Sequence, residues 1–206
     1  MITPIELSAS QTITVGIVAD THIPDRVNAL HPDLLNQLKI HQVDYIFHAG
    51  DVSIPRVLDE LGAVAPVYAV AGNRDILHRH QLPIHQRFLI NNIRVLLTHG
   101  HVDPFHYWFD KFQYVLQGYR MDRYVRRLER LAQDTDVIIF GHTHRAENRE
   151  IRGKLFHNPG SVSIAIRPEI RISFGIIKFA PSGRATGATI DLTGHKVRFG
   201  KWVTDD

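Results

Sequence analysis

Five short stretches of this chain offer the same kind of chemistry. They are Asp20-Thr21-His22, Gly50-Asp51, Gly72-Asn73-Arg74-Asp75, His99-Gly100-His101 and Gly141-His142-Thr143-His144. Carboxylate, amide and imidazole donors in this mixture suit divalent cations held through oxygen and nitrogen. The chain has fourteen histidines and no cysteine, so a bound metal has no thiolate available. The same absence excludes a disulfide scaffold, an iron–sulfur cluster and a cysteine nucleophile. One Asp-x-His pair means little by itself, and the weight lies in five such pieces in series. In Asp20/His22 and His142/His144 a spacing of two, on extended backbone, points both side chains the same way.

Each piece follows a short apolar run, at 13–19, 45–47, 67–71, 95–97 and 137–140. The runs are β-branched or aromatic and are bounded by Gly, Asp, Asn or His, which predicts buried strands. Helices are expected at about 32–42 and 54–61, and strands alternating with helices imply a largely parallel sheet. The five pieces then fall at strand carboxyl ends, the edge at which open α/β sheets bind ligands. Further on, 147–157, 170–179, 185–192 and 197–203 alternate around glycine-containing turns and predict an antiparallel β section. No repeat, low-complexity tract or linker interrupts the chain, so one domain over 1–206 is expected.

The segment at about 104–133 stands apart as a helical insert opened by Asp103-Pro104. Phe105, Trp108, Phe109, Phe112, Val115, Leu116 and Tyr119 make one apolar stripe, and Met121, Tyr124, Val125, Leu128, Leu131 and Ala132 make a second. At about 100° per residue the two stripes are rotated by roughly 160°, so two helices, or one bent at Gly118, are expected. Arg120, Arg123, Arg126, Arg127 and Arg130 lie largely opposite the second stripe and read as a solvated face. A lid beside the strand ends, or a homodimer interface on the Phe/Trp stripe, are the sharper readings.

The remaining bounds are mild. Twenty-four Lys+Arg against twenty-one Asp+Glu give a net charge of +3, which permits anionic partners without demanding a polyanion. Residues 1–11 show neither a basic start nor an apolar core, and no run is long enough to span a membrane. A cytoplasmic protein with no membrane association is expected.

In order, the motifs Asp-x-His, Gly-Asp, Gly-Asn-x-Asp, His and Gly-His-x-His resemble those of the calcineurin-like metallophosphoesterase superfamily. The short length, the Asn158-Pro159-Gly160-Ser161 turn and the non-histidine after Asn73 make the chain similar to the small YfcE-type phosphodiesterases, relatives of the retromer scaffold subunit. The resemblance covers about residues 12–180. It implies an α/β fold: a two-sheet β sandwich flanked by helices (αββα, metallo-dependent phosphatase-like), with the helical insert as an addition. It also implies two divalent metal ions. Asp20, His22, Asp51 and His144 would hold the first, and Asn73, His99, His142 and the shared Asp51 the second. Manganese is the expected metal, with Ni, Zn, Fe, Co and Mg as alternatives. The implied activity is hydrolysis of a small phosphate ester, a phosphodiester above all, by in-line attack of a hydroxide bridging the two ions.

Most members of the superfamily carry histidine after the motif asparagine, where it helps to protonate the leaving group. Here Arg74 stands there, a permanent cation that clamps phosphate oxygens but does not donate a proton usefully. Its bland reading is a pair with Asp75. His101 is the other candidate catalytic side chain beside Asn73 and Arg74. His48 and Asp75 read as supports that orient the ligands. His31, His41, His78, His80, His85, His106, His157 and His195 read as ordinary. Two other functions compete. A nucleic-acid phosphoesterase is allowed by the arginines but lacks a long basic groove signal or stacking aromatics. A non-catalytic protein-interaction scaffold of the same fold predicts eroded ligand positions, whereas all of these are filled.

Overall fold

The apolar runs read above become strands that stack into two layers. In the computed structural model, residues 4–75, 81–100, 121–164 and 170–205 are described. The elements in chain order are β1 (Ile5–Leu7), β2 (Ile13–Val18), α1 (Leu34–Ile40), β3 (Tyr45–His48), α2 (Arg56–Gly62), β4 (Val67–Ala69), β5 (His85–Ile90), β6 (Ile93–Thr98), α3 (Met121–Leu131) and β7 (Val137–Ile139). They continue with β8 (Ala146–Ile151), β9 (Lys154–Pro159), β10 (Ser173–Phe179), β11 (Ala185–Asp191), β12 (His195–Arg198) and β13 (Lys201–Thr204).

One sheet has the order β11-β10-β2-β3-β4, the other β1-β5-β6-β7-β9-β8. β2, β3 and β4 are parallel, as are β6, β7 and β9. The expected antiparallel character of the last section holds for the β8–β9, β10–β11 and β12–β13 hairpins. β9 also runs parallel to β7, so that section does not form a sheet of its own.

Strand alternation explains the layering. Val15, Ile17 and Phe47 of the first sheet face Phe88, Val95, Leu97, Val137 and Ile139 of the second in a dry interlayer core. The opposite face of the first sheet, with Ile46, Phe174 and Ile176, is covered by Leu34 and Leu38 of α1 and Val57 and Leu61 of α2. The opposite face of the second, with Leu96, Ile138 and Phe156, is covered by Met121, Val125 and Leu128 of α3. The order helix, sheet, sheet, helix follows, as expected. Gly16 lets α1 pack close to β2, since a Cβ there would lie 2.6 Å from Leu38 Cδ2 and push that side chain aside.

The second apolar stripe of the insert is the buried face of α3, and Arg126 and Arg130 point outward as a solvated face. The first stripe and Gly118 lie outside the described residues, and with them the lid and dimer readings. Two strands went unread. β1 is only three residues long, and β5 has a weakly patterned, half-buried sequence. The signal for β5 is the Asn91-Asn92 pair that joins it to β6, both residues in left-handed backbone as a tight hairpin turn requires.

His157 is an ordinary-looking histidine with a measurable consequence. It is fully enclosed on β9, donates Nδ1–H to Asn148 Oδ1 (3.1 Å), and burial pushes its pKa down to about 4. The folded state therefore refuses a proton that the unfolded chain accepts below about 6.5. This contribution to stability is intact above pH 6.5 and is lost as pH falls towards 4. The native chain should lose about 2 kcal/mol more than a His157→Gln chain between pH 7.5 and pH 5. Urea midpoints at the two pH values give the difference, and identical pH slopes would count against the assignment.

Candidate metal centre

The five chemistry-bearing pieces meet across the edge where the two sheets come together. Asp20 and His22 follow β2, Asp51 follows β3 and Asn73 follows β4. His99 follows β6, while His142 and His144 follow β7. Backbone bonds stitch the loops: Asp20 N–H donates to Gly50 O (3.0 Å) and His22 N–H to Asp51 O (3.2 Å). The convergence is not the extended one the spacing of two suggested. Asp20, His22, Asp51, His142 and His144 all have positive φ, between 48° and 71°. Asp and His tolerate this left-handed region better than most side chains do, and tight turns there swing the donors back to one point.

Two groups of donors result. In the first, His22 Nε2 and His144 Nε2 face each other at 3.0 Å, with Asp20 Oδ1 at 3.8 and 3.4 Å from them respectively. In the second, Asn73 Oδ1 lies 3.0 Å from His99 Nε2 and 3.0 Å from His142 Nδ1. The carboxylate of Asp51 stands between the groups, Oδ1 at 3.5 Å from His99 Nε2 and Oδ2 at 3.7 Å from His22 Nδ1. Gly72 makes the room: a Cβ there would lie 2.1 Å from Asp51 Oδ1 and 2.2 Å from its backbone nitrogen.

The electrostatics are those of a site built around positive charge. Asp20 and Asp51 are buried carboxylates, only 0% and 2% exposed. Burial, with Asp20 nearby, pushes Asp51 up to about 6 even though His99 pulls the other way. Burial would raise Asp20 too, but the surrounding imidazoles, His144 first, hold it well below the carboxylate range. Burial holds His22 down at about 3, against the pull of Asp20. Burial also opposes charge on His99, but Asp51 and Asp20 outweigh it and raise its pKa. Asp20 Oδ1, His22 Nδ1 and His144 Nδ1 are buried with no hydrogen-bond partner. An orphaned carboxylate oxygen and unpartnered imidazole nitrogens beside two buried carboxylates fit divalent cations, which would relieve both costs.

The supports are explicit. His99 Nδ1–H donates to Ala49 O (2.7 Å), which fixes the ring with Nε2 aimed into the site. His48 Nε2 contacts Thr21 Oγ1 at 3.3 Å, and that hydroxyl is directed at the carbonyls of Asp51 (3.0 Å) and Val52 (3.2 Å). Asp75 accepts from Gly72 N–H (2.7 Å) and Ser53 N–H (2.6 Å), bracing the Asn73 loop against the Asp51 loop. The backbone N–H of Arg74 donates to Asp51 Oδ1 (2.8 Å), but its guanidinium pairs with Asp25 (3.2 Å) rather than Asp75. His101 lies outside the described residues.

Two serines hold the site from the late turn, and of these only Ser163 escaped the reading of the sequence. Ser161 and Ser163 both donate their hydroxyls to Asp20 O, at 2.9 and 2.7 Å, fixing the first turn from across the fold. The Asn158–Ser161 turn was the available signal; Asn158 Nδ2 in turn donates to Gly141 O (2.8 Å) beside His142.

The chain matches known proteins along most of its length. The sequence profile of the calcineurin-like phosphoesterase superfamily domain matches residues 13–180. A protein of Methanothermobacter thermautotrophicus named "Probable metallophosphoesterase" is 35% identical over 150 residues, 73% of this chain and 77% of its own length. Among solved structures, Vacuolar Protein Sorting 29 from Cryptosporidium parvum superposes with a TM-score of 0.64 at 20% identity, covering 88% of this chain and 98% of that one. Wild-type Vps29 from Entamoeba histolytica, solved in complex with zinc, superposes with a TM-score of 0.59 at 26% identity, covering 87% and 99%.

Proposed function

This chain belongs to the calcineurin-like phosphoesterase superfamily, and from that premise we propose that it hydrolyses phosphodiesters at a centre for two divalent cations. The observation that carries the reading is the place of Asp51, within reach of both donor groups. Asp20, His22, Asp51 and His144 would hold one cation, and Asp51, Asn73, His99 and His142 the other. When bound, such a pair stabilises charge on phosphoryl oxygens and makes hydroxide available at neutral pH.

The chain's own residues do the rest. Ala49 O and the Ser161–Ser163 pair lock ligand orientation before substrate arrives, so little reorganisation remains for the reaction. Arg74, about a third exposed and steadied by Asp25, presents a fixed cation at the rim and would clamp a phosphate oxygen. A guanidinium is not a useful general acid, so the leaving group receives no help from it. That favours diesters with good leaving groups over monoesters with poor ones. Manganese as the preferred metal, a small phosphate-ester substrate, a cytoplasmic setting and a single domain over the whole chain belong to the same reading. The likeness to Vps29 speaks for the fold alone, and the filled donor positions favour hydrolysis over a non-catalytic scaffold of that fold.

A metal-by-substrate matrix tests this. Protein stripped with a chelator is reloaded with Mn²⁺, Ni²⁺, Zn²⁺ or Mg²⁺ and offered an aryl phosphodiester, an aryl phosphomonoester and a cyclic nucleotide. Mn²⁺ should restore turnover. The diester should be preferred by about tenfold or more, since general-acid help to a leaving group is worth ~10²–10⁴-fold where present. Turnover indifferent to chelation, or a monoester preference, defeats the proposal.

A further inference from the structure

Among the described residues, β12 and β13 pair only with each other. A two-stranded hairpin is marginal unless something fastens it. Trp202 Nε1–H donates to Ala29 O (2.8 Å), Asn28 N–H donates to Gly200 O (2.9 Å), and Val197 and Trp202 pack on the layer of α1 and α2. At the same seam two histidines that looked unremarkable in the sequence meet one aspartate. His195 Nδ1 lies 3.4 Å from Asp33 Oδ2, and His31 Nδ1 lies 4.0 Å from the same oxygen.

We propose that His31, Asp33 and His195 form a separate cation site that clips the C-terminal hairpin to the start of α1, taking a transition-metal ion such as Zn²⁺. Two imidazoles and a carboxylate are ligands of the right type. Donors sharing one tetrahedral zinc at about 2.0–2.1 Å sit about 3.3 Å apart; the three donors here all lie within 4.8 Å of one another, so a cation would draw them somewhat closer. His31 is enclosed, its ring edge-on to His195 (5.3 Å between centroids) and to Trp202 (4.7 Å). His195 Nδ1, one of the proposed donors, is buried without a hydrogen-bond partner, an arrangement that structural packing alone does not reward. One bond competes: Asp33 N–H donates to His31 Nδ1 at 3.2 Å, and a cation taken there displaces it. Asp33 is half-exposed, and a cleft of about 450 Å³ lined by Gly194, His195, Lys196 and Asp205 admits water to complete the coordination shell. The site shares no residue with the centre at the strand ends and stands whether or not that centre hydrolyses phosphodiesters.

The test counts Zn²⁺. Full-length chain is stripped, dialysed against Zn²⁺ alone and assayed for bound equivalents, with and without His195→Gln, in the native background and in Asp51→Ala. In both backgrounds His195→Gln should bind one equivalent fewer. In the native background it should keep its Mn²⁺-dependent turnover and lose part of the Zn²⁺-dependent rise in unfolding temperature. Equal equivalents with and without His195 overturn the proposal. If His195→Gln fails to fold, Asp33→Asn, a nearly isosteric change at a half-exposed position, takes its place, and an unchanged zinc count there overturns it equally.

Discussion

Replacing Asp51 should abolish turnover while leaving the fold intact. Asp51→Ala removes the carboxylate that stands between the two donor groups, so both cations should be lost together and kcat/KM should fall by about 10³-fold or more. Stability should move the other way. Burial and the neighbouring Asp20 push Asp51 up to about 6, so at neutral pH the folded chain bears an ionised carboxylate in a place that disfavours it. In chelator, Asp51→Asn, which preserves shape and removes charge, should unfold at a temperature equal to or above that of the native chain. Activity assays and thermal unfolding with and without Mn²⁺ separate the two effects. Retained hydrolysis, or only one cation lost, would falsify the shared-ligand account.

The second large effect needs a single methyl group. At Gly72 an added Cβ would lie 2.2 Å from the backbone nitrogen of Asp51 and 2.1 Å from its Oδ1, and a backbone atom cannot step aside as a flexible side chain can. Gly72→Ala should therefore displace Asp51 itself. Overpacking of this kind costs about 1–3 kcal/mol, and a shift near 1 Å at a reacting centre costs about 10²-fold in rate. Gly62 supplies the contrast, because a Cβ there at the end of α2 meets nothing within 4 Å. Gly62→Ala should be neutral or stabilising by up to about 1 kcal/mol, with unchanged turnover. Urea midpoints and kcat/KM for the pair give the comparison. Native-like turnover in Gly72→Ala would show that the loop yields more readily than its packing suggests.

The parts of the centre that could be read from the sequence share one property: their signal is local. A β-branched run ending in Asp-Thr-His or Gly-His-Thr-His announces both a buried strand and the donors at its end, and β2, β3, β4, β6 and β7 all lie where such runs occur. The sandwich order came through the family resemblance, not from periodicity. What could not be read depends on chain returning from far away. Ser161 and Ser163 reach Asp20 across 141 and 143 residues; the Asn158–Ser161 turn marks the first of them, but nothing local names its distant target. Arg74 finds Asp25 across 49 residues, although Asp75 stands next to it in the chain. Asp75 is already committed to two backbone amides, which leaves the guanidinium to look elsewhere. The left-handed turns at the donors were missed for a different reason. Asp and His are permitted in that region without being diagnostic of it, as glycine would be.

The donors divide cleanly between the layers. Asp20, His22, Asp51 and Asn73 come from loops of the first sheet, and His99, His142 and His144 from loops of the second. Each proposed cation draws on both: His144 joins the first group and Asn73 the second. A slip of one layer over the other by the width of an atom would spoil both seats at once, though it would leave most of the interlayer oil intact. Turnover in this protein is therefore a gauge of how the two layers are registered, and it should respond to strain in the sandwich before any spectroscopic measure of folding does.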